Sequence, residues 1–231
     1  MSAKNKKSRL VVGTIMVAVF AVVLIIFFMP VFGGHNGLDY LDQLYNSISK
    51  DSAYYIPDLS KQAAKFDGAK LEATLELTDK EAAARAALLF TAAGATATAQ
   101  GSKLAVSGDL GKVIASSLTD ADAMFHNQGD KLKARYQGKD PKLMLYTWWG
   151  TYKALEKSLN RQKAFAQAKF AKTVQAKAVE MSYNYYGIEP QSIGDKWLIV
   201  VLSLLFYVIY TLWYGYGVMY MFEGSGYQLE H

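Results

Sequence analysis

The sequence predicts a membrane protein of the α+β class. Two transmembrane helices, one near each end, flank an extracytoplasmic domain made of a small β-α-β-β-α unit and a long helical stalk. Three observations predict this. Residues 10–32 and 196–222 are almost wholly apolar, while the stretch between them, 33–195, has ordinary globular composition. Within that stretch, 71–127 alternates strand-period and helix-period patterns. Residues 141–186 then keep a helical period with no breaker before Gly187.

Residues 1–9 form a basic tail carrying Lys4, Lys6, Lys7 and Arg9. Leu10 to Met29 has no charge and only Thr14 as a polar group. At 1.5 Å per residue a helix of this length covers the roughly 30 Å hydrocarbon core. A cleavable signal would have a shorter apolar run, about 7–15 residues, followed by a small-x-small site. The run here ends in Met29-Pro30-Val31-Phe32-Gly33-Gly34 and reads as an uncleaved anchor. The flank after it, through Asp39, carries no Lys or Arg. The positive-inside rule then places the tail in the cytoplasm and the domain outside.

In the domain, Leu38, Leu41, Leu44, Tyr45 and Ile48 share one helical face over 38–50, and Pro57 stops that stretch. A short helix over 58–66 follows. Leu71, Ala73, Leu75 and Leu77 alternate with Glu72, Thr74 and Glu76, the pattern of a half-buried strand. Thr78-Asp79-Lys80-Glu81 has capping-box spacing ahead of an alanine-rich helix that Gly94 ends. Residues 95–99 and 103–107 flank Gln100-Gly101-Ser102 as a hairpin. Asp109 caps a helix whose apolar face is Leu110, Val113, Ile114, Leu118, Ala121 and Phe125.

Asp140-Pro141 opens the long helix as cap and first-turn proline. Tyr152, Leu155, Leu159, Ala166, Phe170, Val174, Met181 and Tyr185 make its stripe, and the expectation is a stalk. The second span, 196–222, is uncharged beyond Lys196 and is followed by a short cytoplasmic tail, 223–231. The closing Leu229-Glu230-His231 has the look of a purification-tag remnant.

This order of anchor, outer helical domain and anchor resembles, in layout alone, the sensory half of bacterial chemoreceptors and sensor kinases. Those proteins carry an output module after the second span, and here about nine residues follow. The expectation is therefore a chain without an output domain of its own.

Composition narrows the chemistry. Cysteine is absent, which excludes disulfides, thiolate metal sites and thiol nucleophiles. No Asn-x-Ser/Thr sequon occurs, and both absences fit a prokaryotic inner membrane. The net charge of +5 includes the four basic residues of the tail; between that tail and residue 223 the balance is about +3, with 21 Lys/Arg facing 18 Asp/Glu. No basic cluster interleaved with aromatics remains, so no nucleic-acid partner is expected. His35 and His126 lack metal-ligand spacing, and His126 reads as a helix C-terminal residue. Neither a Gly-x-Ser-x-Gly elbow nor a phosphate-binding fingerprint is present. Asp120 and Asp122, two apart on a helix, point in different directions. No enzyme, cofactor or metal is expected.

The 16 tyrosines are more informative. Tyr207, Tyr210 and Tyr214 recur at i, i+3 and i+7 within the second span, where a phenol facing lipid is costly. With Trp213, Gly215 and Gly217 they form a candidate interface, for the first span or for a partner subunit. Trp148, Trp149, Tyr185 and Tyr186 are candidates for a ligand site or an interface. Adjacent Trp148 and Trp149 cannot both face one core, so one packs and the other sits at a surface.

The leading expectation is a non-catalytic subunit or homo-oligomeric scaffold of a membrane complex, both termini cytoplasmic, presenting a periplasmic or extracellular interaction domain. Its partners are then membrane lipid and either further copies or other subunits. The alternative is an extracytoplasmic module that binds or senses a small molecule or lipid.

Overall fold

A computed structural model describes residues 3–227. The remnant-like Leu229-Glu230-His231 lies outside the described residues. In chain order, α1 (Ala3–Phe28), α2 (Gly37–Ser52) and α3 (Ile56–Ala63) lead to strand β1 (Lys70–Glu76). Then come α4 (Lys80–Ala92), β2 (Thr96–Gln100), β3 (Lys103–Asp109), α5 (Leu110–Phe125) and α6 (Gly129–Arg135). The chain continues through α7 (Pro141–Arg161), α8 (Phe165–Val174), a π-helical stretch (Gln175–Glu180), α9 (Met181–Tyr185) and α10 (Ile193–Ser225). It is mostly helical, 73%, with one three-stranded sheet. It divides into two units, Lys50–Glu189 and the flanking segments 1–49 and 190–231.

In the flanking unit, α1 and α10 are both long and apolar enough to cross a membrane. They pair antiparallel: Arg9, near the start of α1, forms a salt bridge with Glu223, near the end of α10. Phe27 at the other end of α1 stacks on Phe206. The chains approach closely where Gly13 meets Gly217. A Cβ on Gly13 would lie 2.7 Å from the Gly217 carbonyl oxygen, and one on Gly217 would lie 3.1 Å from Val17 Cγ2. Glycine at both places permits van der Waals contact between backbones.

Two boundaries differ from the sequence reading. The basic tail is not separate, because α1 begins at Ala3 and takes it in as its opening turns. The helix also stops at Phe28 rather than at residue 32, since Pro30 disfavours helical backbone at Met29. After a turn closed by a Phe32–His35 bridge, Asn36 caps α2 by accepting the Asp39 amide at 2.9 Å. Ser192 likewise caps α10.

In the 50–189 unit, the sheet order is β1-β3-β2, with β3 central and antiparallel to both neighbours. Leu71, Ala73 and Leu75 of β1 and Leu104 and Val106 of β3 point to one face and are buried. Glu72, Thr74 and Glu76 point to the other face and are exposed, the alternation a half-covered sheet requires. On the buried face, α4, α5 and α7 complete the core with Leu89, Phe90, Ile114, Met124, Trp148 and Tyr152. Asp79, Asp109 and Asp140 cap α4, α5 and α7 with their carboxylates. The caps at 109 and 140 are those the sequence predicts, whereas the capping-box spacing predicts Thr78 for α4, and the helix starts one residue later with Asp79 accepting the Ala82 amide.

The stalk is the main correction. Residues 141–186 do not form one helix. The chain leaves α7 at Gln162, Lys163 takes a left-handed φ of +60°, and α8 packs back onto α7. The stripe read as one continuous surface is divided among α7, α8 and α9, and Ala166, expected on it, is exposed. Folding back buries Leu155 and Leu159 of α7 together with Phe170, Ala171 and Val174 of α8. At roughly 25 cal/mol per Å² of apolar surface, that burial outweighs one unfavourable backbone conformation of about 1–2 kcal/mol. The short α6, absent from the sequence reading, fills the interval before Asp140.

Candidate functional site

Trp148, Trp149, Tyr185 and Tyr186, the candidates for a ligand site or an interface, lie in three different settings. Trp148 is 0% exposed and points into the core. Its Nε1 donates to Asp120 Oδ2 at 2.8 Å. Asp120, itself 2% exposed, also accepts from the Tyr136 hydroxyl and from Arg135 Nη1 at 2.7 Å. Arg135 Nη2 continues to Ser116 Oγ at 2.8 Å and to the Ala92 carbonyl at 3.2 Å. Beside this network, the Ser117 and Tyr152 hydroxyls lie 2.6 Å apart. Burial, reinforced by the Asp120 charge, pushes the Tyr136 phenol far above its ordinary pKa. Three donors on one buried carboxylate leave it little capacity for another partner, and the arrangement holds α5, α6 and α7 together. Sequence reading placed Asp120 and Asp122 on different faces, but nothing local marked Asp120 as the inward one.

Tyr185 and Tyr186 belong to the point where the chain enters and leaves the 50–189 unit. Lys50, 1% exposed, donates from Nζ to Asn127 Oδ1 (3.2 Å) and to the carbonyls of Tyr185 (3.1 Å) and Ile188 (2.5 Å). Asn127 holds the left-handed region at φ +59°. Its Nδ2 donates to the Ile188 carbonyl and to Glu189 Oε1, and its Oδ1 accepts the Gly187 amide at 2.8 Å. Tyr185 meets the Phe125 ring edge-on, and Tyr186 lies so close to Gly129 that a Cβ there would collide with its ring. Both tyrosines are half-buried fasteners of this closure.

Trp149 does reach a surface, as the adjacency argument requires. With Tyr146, Thr147, Gly150, Lys153 and Lys157 of α7 it lines a groove of about 670 Å³. The opposite wall comes from the end of β1 and the start of α4: Glu76, Leu77, Thr78, Asp79, Ala82 and Arg85. Trp149 Nε1 donates to Glu180 Oε2 at 3.0 Å, its ring stacks with Tyr146, and Lys153 Nζ lies 5.4 Å over it. Arg85, Tyr146 and Lys153 were not singled out by the sequence. The available signal was that Tyr146, Trp149, Lys153 and Lys157 fall at i, i+3, i+7 and i+11 on one helix.

Among the candidate interface residues of α10, Tyr210 and Gly217 face α1. Tyr210 stacks on Phe20 at 4.3 Å, and Tyr214 is tilted against the same ring at 4.9 Å. Trp213 is half-buried. Tyr207 and Gly215 do not face α1: Tyr207 is 67% exposed, and a Cβ on Gly215 would meet nothing within 4 Å. Among the described residues, no group of His, Cys, Asp or Glu is arranged to hold a metal ion. The chain matches no protein-family model, no curated protein and no solved structure.

Proposed function

We propose that the chain is a non-catalytic, membrane-anchored subunit or homo-oligomeric scaffold. Its α1–α10 hairpin sits in a prokaryotic inner membrane with both termini cytoplasmic, and its 50–189 unit is an interaction domain on the outer side. The antiparallel pairing of α1 and α10 and the four basic residues in the first nine support the sidedness.

The observation that carries the assembly is Tyr207. It lies within the apolar run of α10 and turns away from α1. Among the described residues no group meets its hydroxyl. A phenol left unpaired in hydrocarbon is costly, and a neighbouring helix supplies the missing partner. Gly215, equally open, lets such a helix approach. The carboxylate and ammonium buried in the domain, Asp120 and Lys50, are both committed to structural bonds, which supports the absence of catalysis.

The test is native mass spectrometry of protein extracted gently from its own membrane, with disulfide cross-linking through Tyr207→Cys in the otherwise cysteine-free chain. A defined assembly that cross-links at position 207 is expected. Purification as a lone chain, with no co-purifying protein and no cross-link, sinks the reading.

A further inference from the structure

The groove between α4 and α7 is not explained by scaffolding. Its volume, about 670 Å³, falls in the range of small-molecule sites, about 300–1,000 Å³. Arg85, Lys153 and Lys157 line it, and among the described residues none of the three forms a salt bridge. Two carboxylates stand in its wall as well, which leaves the lining one positive charge in excess, and each is already held by another group. Asp79 accepts the Ala82 amide at 2.6 Å to cap α4, and Glu76 accepts the Ser102 hydroxyl at 2.9 Å. Arg85 is steadied through its Nε, which donates to Thr147 Oγ1 at 3.3 Å, while Thr147 donates on to the Leu143 carbonyl. The Nη fork, the part of a guanidinium that takes two oxygens side by side, has no partner among the described residues.

Gly150 is a second and independent observation. It lies inside α7, where glycine is among the poorest helix formers, and it lines the groove. A Cβ there would meet nothing within 4 Å, and its φ is not positive. Neither packing nor backbone geometry requires glycine at this position. Its effect is to keep that wall of the groove open.

We propose that this groove binds a phosphate group carried by a small molecule. A carboxylate offers two oxygens, enough for the Arg85 fork alone. A phosphate monoester offers three terminal oxygens and up to two charges, so the fork takes two oxygens and Lys153 or Lys157 meets the third. The Lys153 ammonium rests over the Trp149 ring, so drawing it toward a phosphate changes the indole's surroundings.

The experiment titrates the full chain, in mild detergent, with inorganic phosphate, glycerol 3-phosphate and dioctanoyl phosphatidic acid, each against chloride of equal ionic strength. Tryptophan emission and binding heat are read together. Phosphate is expected to give a saturable emission change, which Trp149→Phe removes while the heat remains. Arg85→Gln is expected to raise Kd at least about tenfold, the loss of one charge-assisted pair. Gly150→Leu places a side chain in the groove and is expected to abolish binding with the melting temperature unchanged or raised. Tighter binding of glycerol 3-phosphate assigns a soluble ligand, and tighter binding of the phosphatidic acid assigns a lipid headgroup. No saturable response to phosphate in the parent protein overturns the proposal. So does binding at parental strength in both Arg85→Gln and Gly150→Leu.

Discussion

At the scale of single residues, Asp120 illustrates how a buried charge is tolerated. Three donors, from α6, the residue after it and α7, converge on it; its loss would strand the Tyr136 hydroxyl and the Trp148 indole and would take from Arg135 its charge partner. Asp120→Ala should therefore destabilise the 50–189 unit by about 3–5 kcal/mol, the cost of leaving a buried partner uncompensated. Asp120→Asn, which keeps an acceptor, should cost less. Urea denaturation of both variants checks the order. The tyrosines make a pH prediction. Burial pushes the Tyr152 and Tyr136 phenols well above their ordinary value of about 10, with the Asp120 charge adding to both. A folded pKa above the unfolded one contributes stability that is fully present below the unfolded value. That stability is lost as pH rises from there through the folded value. Melting temperature should thus fall steeply above about pH 10, and less steeply in Tyr152→Phe. Equal slopes in the two proteins would contradict it.

At the scale of elements, most boundaries were legible because the signals are local. Asp109 and Asp140 each mark a helix start, and Leu71, Ala73 and Leu75 mark a strand face. The failure at residues 162–164 was not legible, because Gln162-Lys163-Ala164 contains no glycine or proline. The turn is imposed by what it lets α8 bury, a tertiary gain that a window of sequence does not contain. Lys163, held at φ +60°, pays part of that cost. Lys163→Gly should stabilise the unit by up to about 1 kcal/mol, and Lys163→Val should destabilise it. Chemical denaturation of the two variants would detect the opposite signs. The candidate site divides in the same way. That one of Trp148 and Trp149 packs while the other reaches a surface follows from adjacency alone. That Arg85 lies across the groove from Trp149 depends on α4 and α7 meeting, which joins residues 64 positions apart.

At the scale of the whole molecule, the division into two units predicts that residues 50–189 fold without the apolar helices. Expressed alone, this segment should be water-soluble and unfold in one cooperative transition by circular dichroism. Aggregation or a molten state would count against it. The apolar helices were evident from composition, whereas the faces they turn to each other were not, since Tyr207, Tyr210 and Tyr214 look alike in the sequence and end in different settings. Lys50 begins the 50–189 unit, Ile188 and Glu189 end it, and all three are tied to Asn127. Tension entering from either flanking segment reaches this knot before it reaches the sheet or the helices between. The knot therefore acts as a short circuit for force: the sheet and the helices between are shielded from much of the load while the bonds of Lys50 and Asn127 hold, and once these part the fold itself is stretched.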